Sequence, residues 1–114
     1  MENLFKSLGD ENRLRIINLL RKKDLCVCEI ESILDTSQSN ISRHLTRLKN
    51  EKIVIFEKKS QWVYYEINPK FIEDNKLLYQ YLEEQMNGNN KMIQDLNELA
   101  IYQEKGMSCE RIEK

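Results

Sequence analysis

A chain of 114 residues, 40% hydrophobic and 32% charged, fits one globular domain with a slim core, for which pairing into a dimer would hide further apolar surface. One Pro and three Gly argue against a loop-rich or all-β chain, and no stretch nears the roughly 20 apolar residues of a membrane span. The formal net charge of −1 speaks against a nucleic-acid binder only until it is divided along the chain. Residues 37–62 hold Arg43, Arg47, Lys49, Lys52, Lys58 and Lys59 against only Glu51 and Glu57, while residues 1–36 and 63–114 are net acidic. Local clustering of this kind is what a phosphate backbone feels within a Debye length of about 8 Å. The first residues contain no apolar run of signal length, so a cytoplasmic protein is expected. The reduced thiol pool there disfavours structural disulfides, and the three cysteines read as ligands or redox groups.

In chain order, Leu4, Phe5 and Leu8 predict a short first helix ended by Gly9. Asp10 is placed to cap a second helix through Arg21 to Lys23, with Leu14, Ile16, Ile17, Leu19 and Leu20 as its apolar stripe. The chain restarts at Asp24 or Leu25, and a third short helix follows with Val27, Ile30, Ile33 and Leu34 inward. Asp35-Thr36-Ser37 forms a polar turn, from which Thr36 or Ser37 caps a fourth helix over about 37–50. Two short helices across a tight turn make a helix-turn-helix. Ile53–Glu57 and Trp62–Ile67 are rich in β-branched and aromatic residues, and predict a hairpin over about 53–67 with Lys58-Lys59-Ser60-Gln61 as a basic tip. Helical spacing returns from about Phe71 to Met86, breaks at Asn87–Asn90, and resumes through Met92, Leu96 and Leu99 to about Lys105. Residues 106–114 are expected to be a mobile tail. The expected fold is mainly α with a β-hairpin, a single winged helix-turn-helix domain.

On the fourth helix, Ile41, Leu45 and Leu48 must face the core, which turns Ser39, Ser42, Arg43, Thr46 and Arg47 outward and leaves Gln38 and Asn40 in the exposed first turn. Gln, Asn and Ser can hydrogen-bond base edges, and Arg can bind guanine bidentately or clamp a phosphate. Residues 37–48 contain no acid, unlike an ordinary solvated helix face. Lys58 and Lys59 would lie along a phosphate strand. The single histidine, His44, sits at the border of the buried stripe and is expected to pack or cap.

Cys26-Val27-Cys28 opens the third helix. Residues at i and i+2 point about 200° apart on a regular helix, so both thiols can face one ion only if the first is not yet helical. A helix N-terminus also favours the thiolate, the species that binds soft ions. Two sulfurs are too few for a structural zinc site, and Cys109 could supply a third. On spacing alone, a pair of buried, incidental cysteines fits equally well. With the only histidine on the fourth helix and no Cys-x-x-Cys, nothing points to an enzyme.

Asp24-Leu25-Cys26-Val27-Cys28-Glu29-Ile30 resembles the metal-binding motif of the ArsR/SmtB metalloregulators, typically Glu-Leu-Cys-Val-Cys-Asp-Leu. Ser37-Gln38-Ser39-Asn40-Ile41-Ser42-Arg43-His44-Leu45 is similar to the recognition helix of that family. Leu8 to Ile16 resembles the opening of its second helix, and Trp62-Val63-Tyr64-Tyr65 its wing. The resemblance covers roughly residues 3–70. It implies a winged-helix homodimer joined through its first and last helices, bound to a palindromic operator and released by an inducer. Gln38, Ser39, Ser42 and Arg43 are then the groove readers and Cys26 and Cys28 the inducer ligands. Relatives with Cys-Val-Cys sense As(III) and Sb(III), or Cd(II) and Pb(II) where N-terminal cysteines complete the site. No cysteine precedes Cys26, and Glu31 stands where some arsenic sensors place a third. A thiol redox switch on the same scaffold is the alternative.

Overall fold

The computed structural model describes residues 2–106. The expectations of a mobile tail beyond Gly106 and of Cys109 as a ligand concern residues outside that range. The first helix, α1, runs Glu2–Leu8, and Asp10 caps α2 (Glu11–Leu20), its carboxylate accepting from the Arg13 N–H at 3.1 Å. After a turn, Leu25–Cys26 forms the short strand β1, and α3 follows at once as Val27–Leu34. Ser37 caps α4 (Gln38–Asn50), accepting from the Asn40 N–H at 3.3 Å. The hairpin consists of β2 (Val54–Lys59) and β3 (Trp62–Ile67), and three helices follow: α5 (Pro69–Asp74), α6 (Lys76–Asn87) and α7 (Asn90–Glu104).

Three features depart from the sequence reading. A third strand exists: β1 pairs antiparallel with β3, Leu25 opposite Tyr65 and Cys26 opposite Tyr64, giving the order β1-β3-β2. Two residues are too few to show alternation. The hairpin strands also run further than expected, so that Lys58 and Lys59 lie within β2 opposite Val63 and Trp62. Only Ser60 and Gln61 remain for the turn, with Ser60 in the left-handed region at φ 60°. Finally, the helix expected from Phe71 to Met86 is two helices, broken at Asn75, whose φ of −133° is not helical and whose side-chain amide donates to the Phe71 carbonyl at 3.0 Å. Pro69 at the first position of α5, behind the Asn68 cap, starts that piece earlier than the apolar spacing suggests.

The core lies where α2, α3, α4 and the sheet meet. Ile16, Ile17, Leu19, Ile30, Ile41, Leu45, Leu48 and Ile53 are fully shielded from solvent. Three helix stripes of spacing three and four therefore converge on one another, as the sequence pattern requires. α7 is fastened to α2 by polar links as well as packing. Arg15 donates Nε to Asp95 Oδ2 at 2.8 Å and Nη2 to Oδ1 at 3.0 Å, and the Asn18 amide donates to the Met92 carbonyl at 2.9 Å. No helix among the described residues is long and apolar enough to cross a membrane.

Candidate functional site

The exposed face of α4 is built by its buried one. Ile41, Leu45 and Leu48 hold the helix on the core, and Gln38, Ser39 and Arg43 are exposed, with Asn40 and Ser42 partly so. Arg43 Nη2 donates to Asn40 Oδ1 at 2.7 Å, which keeps two hydrogen-bonding heads together near the N-terminal half of the helix. Thr46 turns its hydroxyl back to the Ser42 carbonyl at 2.9 Å. Arg47 differs from the others: its Nε donates to the buried Ser7 hydroxyl on α1 at 3.1 Å, so part of its guanidinium serves to join α4 to α1.

A second arginine was not singled out by the sequence reading. Arg13 of α2 donates Nε to the Ser7 carbonyl at 2.6 Å and Nη2 to the Lys6 carbonyl at 3.1 Å, satisfying orphan carbonyls at the end of α1. Its Nη1 lies 3.3 Å from His44 Nδ1 on α4. His44 is therefore a packed residue, as its position bordering the apolar stripe predicts. Burial, with the charges of Arg13 and Arg43, holds its pKa below the ordinary histidine value, against the opposing pull of Asp10.

On the wing, neighbouring strand residues point to opposite faces, so Lys58 and Lys59 do not share one side of the hairpin. Lys59 Nζ sits 5.5 Å from the Tyr64 ring centroid, and Lys49 of α4 sits 5.3 Å from that of Phe56.

The turn that carries Cys26 and Cys28 is the second centre. Cys26 closes β1 and is also the residue before α3, with extended backbone at φ −91° and ψ 169°. Cys28 is the second residue of the helix proper. The change of backbone conformation between them cancels the divergence expected within a regular helix, and the two Sγ atoms lie 3.8 Å apart. Glu29 locks the turn, its buried carboxylate accepting from the Cys26 N–H at 3.0 Å. Cys26 is buried at 4% exposure, whereas Cys28 borders an open cleft of about 590 Å³ shared with Glu31, Ser32, Asp35, Thr36 and Ser37.

The expectation that the helix N-terminus favours a thiolate is corrected at Cys26. Burial pushes its thiol up to about 11, and the Glu29 carboxylate adds to the rise. Backbone N–H groups of Glu29 and Cys28 pull the other way and lose. Among the described residues no group of three His, Cys, Asp or Glu is arranged to hold a metal ion. A further residue near the turn was missed: Tyr102 of α7, buried at 7% exposure, whose phenol burial and the charges of Glu29, Cys26 and Tyr64 push up to about 12. Its position at the far end of the last helix gave no sequence signal.

α3 packs against both α4 and α7, so the turn that carries Cys26 and Cys28 opens a helix in contact with α4 and with the last helix. Residues 10–55, from the cap of α2 into the wing, match the family described as bacterial regulatory protein, arsR family. The chain is 44% identical over 68 residues to the arsenic resistance transcriptional regulator ArsR1 of Pseudomonas putida, a match covering 59% of this chain and 53% of that protein. It thus spans little more than half the length of that relative. It is 37% identical over 82 residues to the arsenical resistance operon repressor of Bacillus subtilis, covering 71% of this chain and 76% of that one. Among solved structures it resembles HlyU from Vibrio cholerae with a TM-score of 0.60 and 32% identity, over 69% of this chain and 87% of the other. The fold is the winged helix-turn-helix, and the chain belongs to the ArsR family of bacterial transcriptional regulators.

Proposed function

We propose that this protein is a cytoplasmic DNA-binding repressor, active as a homodimer on a palindromic operator, that leaves its site when Cys26 and Cys28 capture As(III) or Sb(III). The observation that carries this reading is the meeting of the two sulfurs at 3.8 Å in the turn that opens α3, the helix packed against α4. A thiophilic trivalent metalloid suits such a pair, and drawing both sulfurs to one atom must distort the first turn of α3. The relatives named for arsenic resistance support the same inducer class.

Gln38, Ser39, Asn40, Ser42 and Arg43 would then read the major groove, with Arg47, Lys58 and Lys59 holding phosphates. Two such heads must sit one DNA turn apart, roughly 34 Å, so a small rotation of α4 in each protomer is enough to spoil the fit. Exposed Phe5 on α1 and Ile93 and Ile101 on α7 support a dimer joined through the first and last helices. The test is fluorescence anisotropy of operator DNA with the reduced protein. Arsenite should release DNA from the wild type, and Cys26→Ser with Cys28→Ser should stay bound. Normal release from that double variant would overturn the mechanism.

A further inference from the structure

Ser7, near the end of α1, is fully shielded from solvent, yet two arginines from different helices end on it. Arg13 of α2 donates Nε to its carbonyl at 2.6 Å, and Arg47 of α4 donates Nε to its hydroxyl at 3.1 Å. A third arm of the same junction leaves α1 altogether: Arg13 Nη1 lies 3.3 Å from His44 Nδ1 on α4. An arginine can only donate, so Nδ1 is the acceptor and the ring carries its proton on Nε2.

Capping the end of α1 accounts for the bonds from Arg13 to the Ser7 and Lys6 carbonyls. It accounts neither for the arm to His44 nor for Arg47 reaching in from α4. His44 and Arg47 stand three residues apart on one side of α4, about 4.5 Å along its axis. Two anchors so spaced resist both a tilt of the helix and a turn about its axis. Arg43, bonded to Asn40 on the exposed side, directly precedes His44 and stands four residues before Arg47. The direction in which that pair points is therefore set by where the two anchors are held.

We propose that Ser7 and Arg13 are positioning residues for DNA binding: with His44 and Arg47 they fix α4 on the end of α1, and so aim Asn40 and Arg43 at the base edges. This rests on the reading of α4 as the recognition helix given above. Neither Ser7 nor Arg13 touches DNA in this scheme. Attraction to phosphates tolerates a small error in the orientation of α4, whereas hydrogen bonds to base edges do not. Loss of the junction therefore lowers specificity and leaves general affinity for DNA in place.

The experiment measures anisotropy of the full-length protein on two duplexes of equal length: a palindrome that the wild type selects from a random pool, and the random pool itself. Ser7→Ala, Arg13→Lys and, as a phosphate-contact control, Lys59→Ala are compared with the wild type across a salt series, below their melting temperatures. Ser7→Ala and Arg13→Lys should bind the palindrome about three- to tenfold more weakly, the ordinary worth of one hydrogen bond, and the random pool as the wild type does. Their salt dependence should not change, whereas that of Lys59→Ala should flatten on both duplexes. Alanine favours a helix, so Ser7→Ala keeps the test open should Arg13→Lys fail to fold. A lower melting temperature with an unchanged preference for the palindrome would reduce the junction to a brace for stability and overturn the proposal. Equal losses on both duplexes, or a flattened salt dependence in Ser7→Ala, would overturn it too. A wild type that selects no palindrome would instead remove the recognition-helix reading itself, and the positioning role with it.

Discussion

Asp95→Ala is expected to loosen α7 from the body of the protein. Asp95 is 4% exposed and Arg15, its partner on α2, 13%, and the two are joined by parallel hydrogen bonds of 2.8 and 3.0 Å. The hydrogen bond to Asp95, the largest influence on Arg15, raises the guanidinium pKa, with burial acting against it. Truncating the carboxylate strands a guanidinium that is almost out of water. Breaking a buried pair in this way costs about 3–5 kcal/mol. Against the roughly 5–15 kcal/mol that holds a small domain together, that is a large share. At about 4 °C or more per kcal/mol, the melting temperature should fall by roughly 12 °C or more. Urea and thermal unfolding at one fixed protein concentration would measure it, since association shifts apparent stability. Arg15→Met combined with Asp95→Leu should recover most of the loss, because no charge is then left without a partner. A loss below about 1 kcal/mol, or a double variant no better than Asp95→Ala, would refute the reasoning.

Arg43→Ala should weaken operator binding by about 1–3 kcal/mol and relax preference at one base pair, whereas Lys59→Ala should weaken binding alike on all sequences and flatten the salt dependence by about one unit, both read by anisotropy across a salt series. Because Cys26 is protonated up to about pH 11, a divalent cation must displace that proton while neutral arsenous acid carries its own hydroxides away as water. Cd(II) affinity should therefore climb at least about tenfold per pH unit between pH 6 and 8, and arsenite affinity should stay flat. A flat Cd(II) profile would count against the buried thiol. His44 has a lowered pKa, so the unfolded chain takes up its proton more readily than the folded one. Stability should hold above the ordinary value of 6.5 and decline as pH falls below it; urea midpoints for wild type and His44→Gln at pH 5 and 7.5 should show a smaller decline in the variant.

The elements that carry strong periodicity were legible. The stripe Ile41, Leu45, Leu48 fixes which side of α4 faces out, and the aromatic and β-branched runs on either side of Ser60 and Gln61 fix the hairpin. The approach of Cys26 to Cys28 was legible as well, because only a helix boundary lets an i, i+2 pair converge. What escaped depends on distance in the chain. β1 takes its identity from β3, about 40 residues later, and no two-residue segment can announce that by itself. The thiol pKa escaped for a related reason: a helix N-terminus can be read locally, but the burial that outweighs it comes from the packed whole. Arg13 and Tyr102 are single residues whose roles appear only once α1, α4 and α3 surround them. At Asn75, a side-chain bond to the Phe71 carbonyl and a non-helical φ break a helix that apolar spacing alone would continue.

The two-residue strand β1 decides which way the Cys26 side chain points. Side chains alternate between the faces of a strand, so a shift of one residue against β3 would send the Cys26 side chain to the opposite face and put its neighbour in its place. Such a shift would part the sulfur of Cys26 from that of Cys28. In that sense the turn that carries Cys26 and Cys28 is held as much by the wing strand beside it as by the helix it begins.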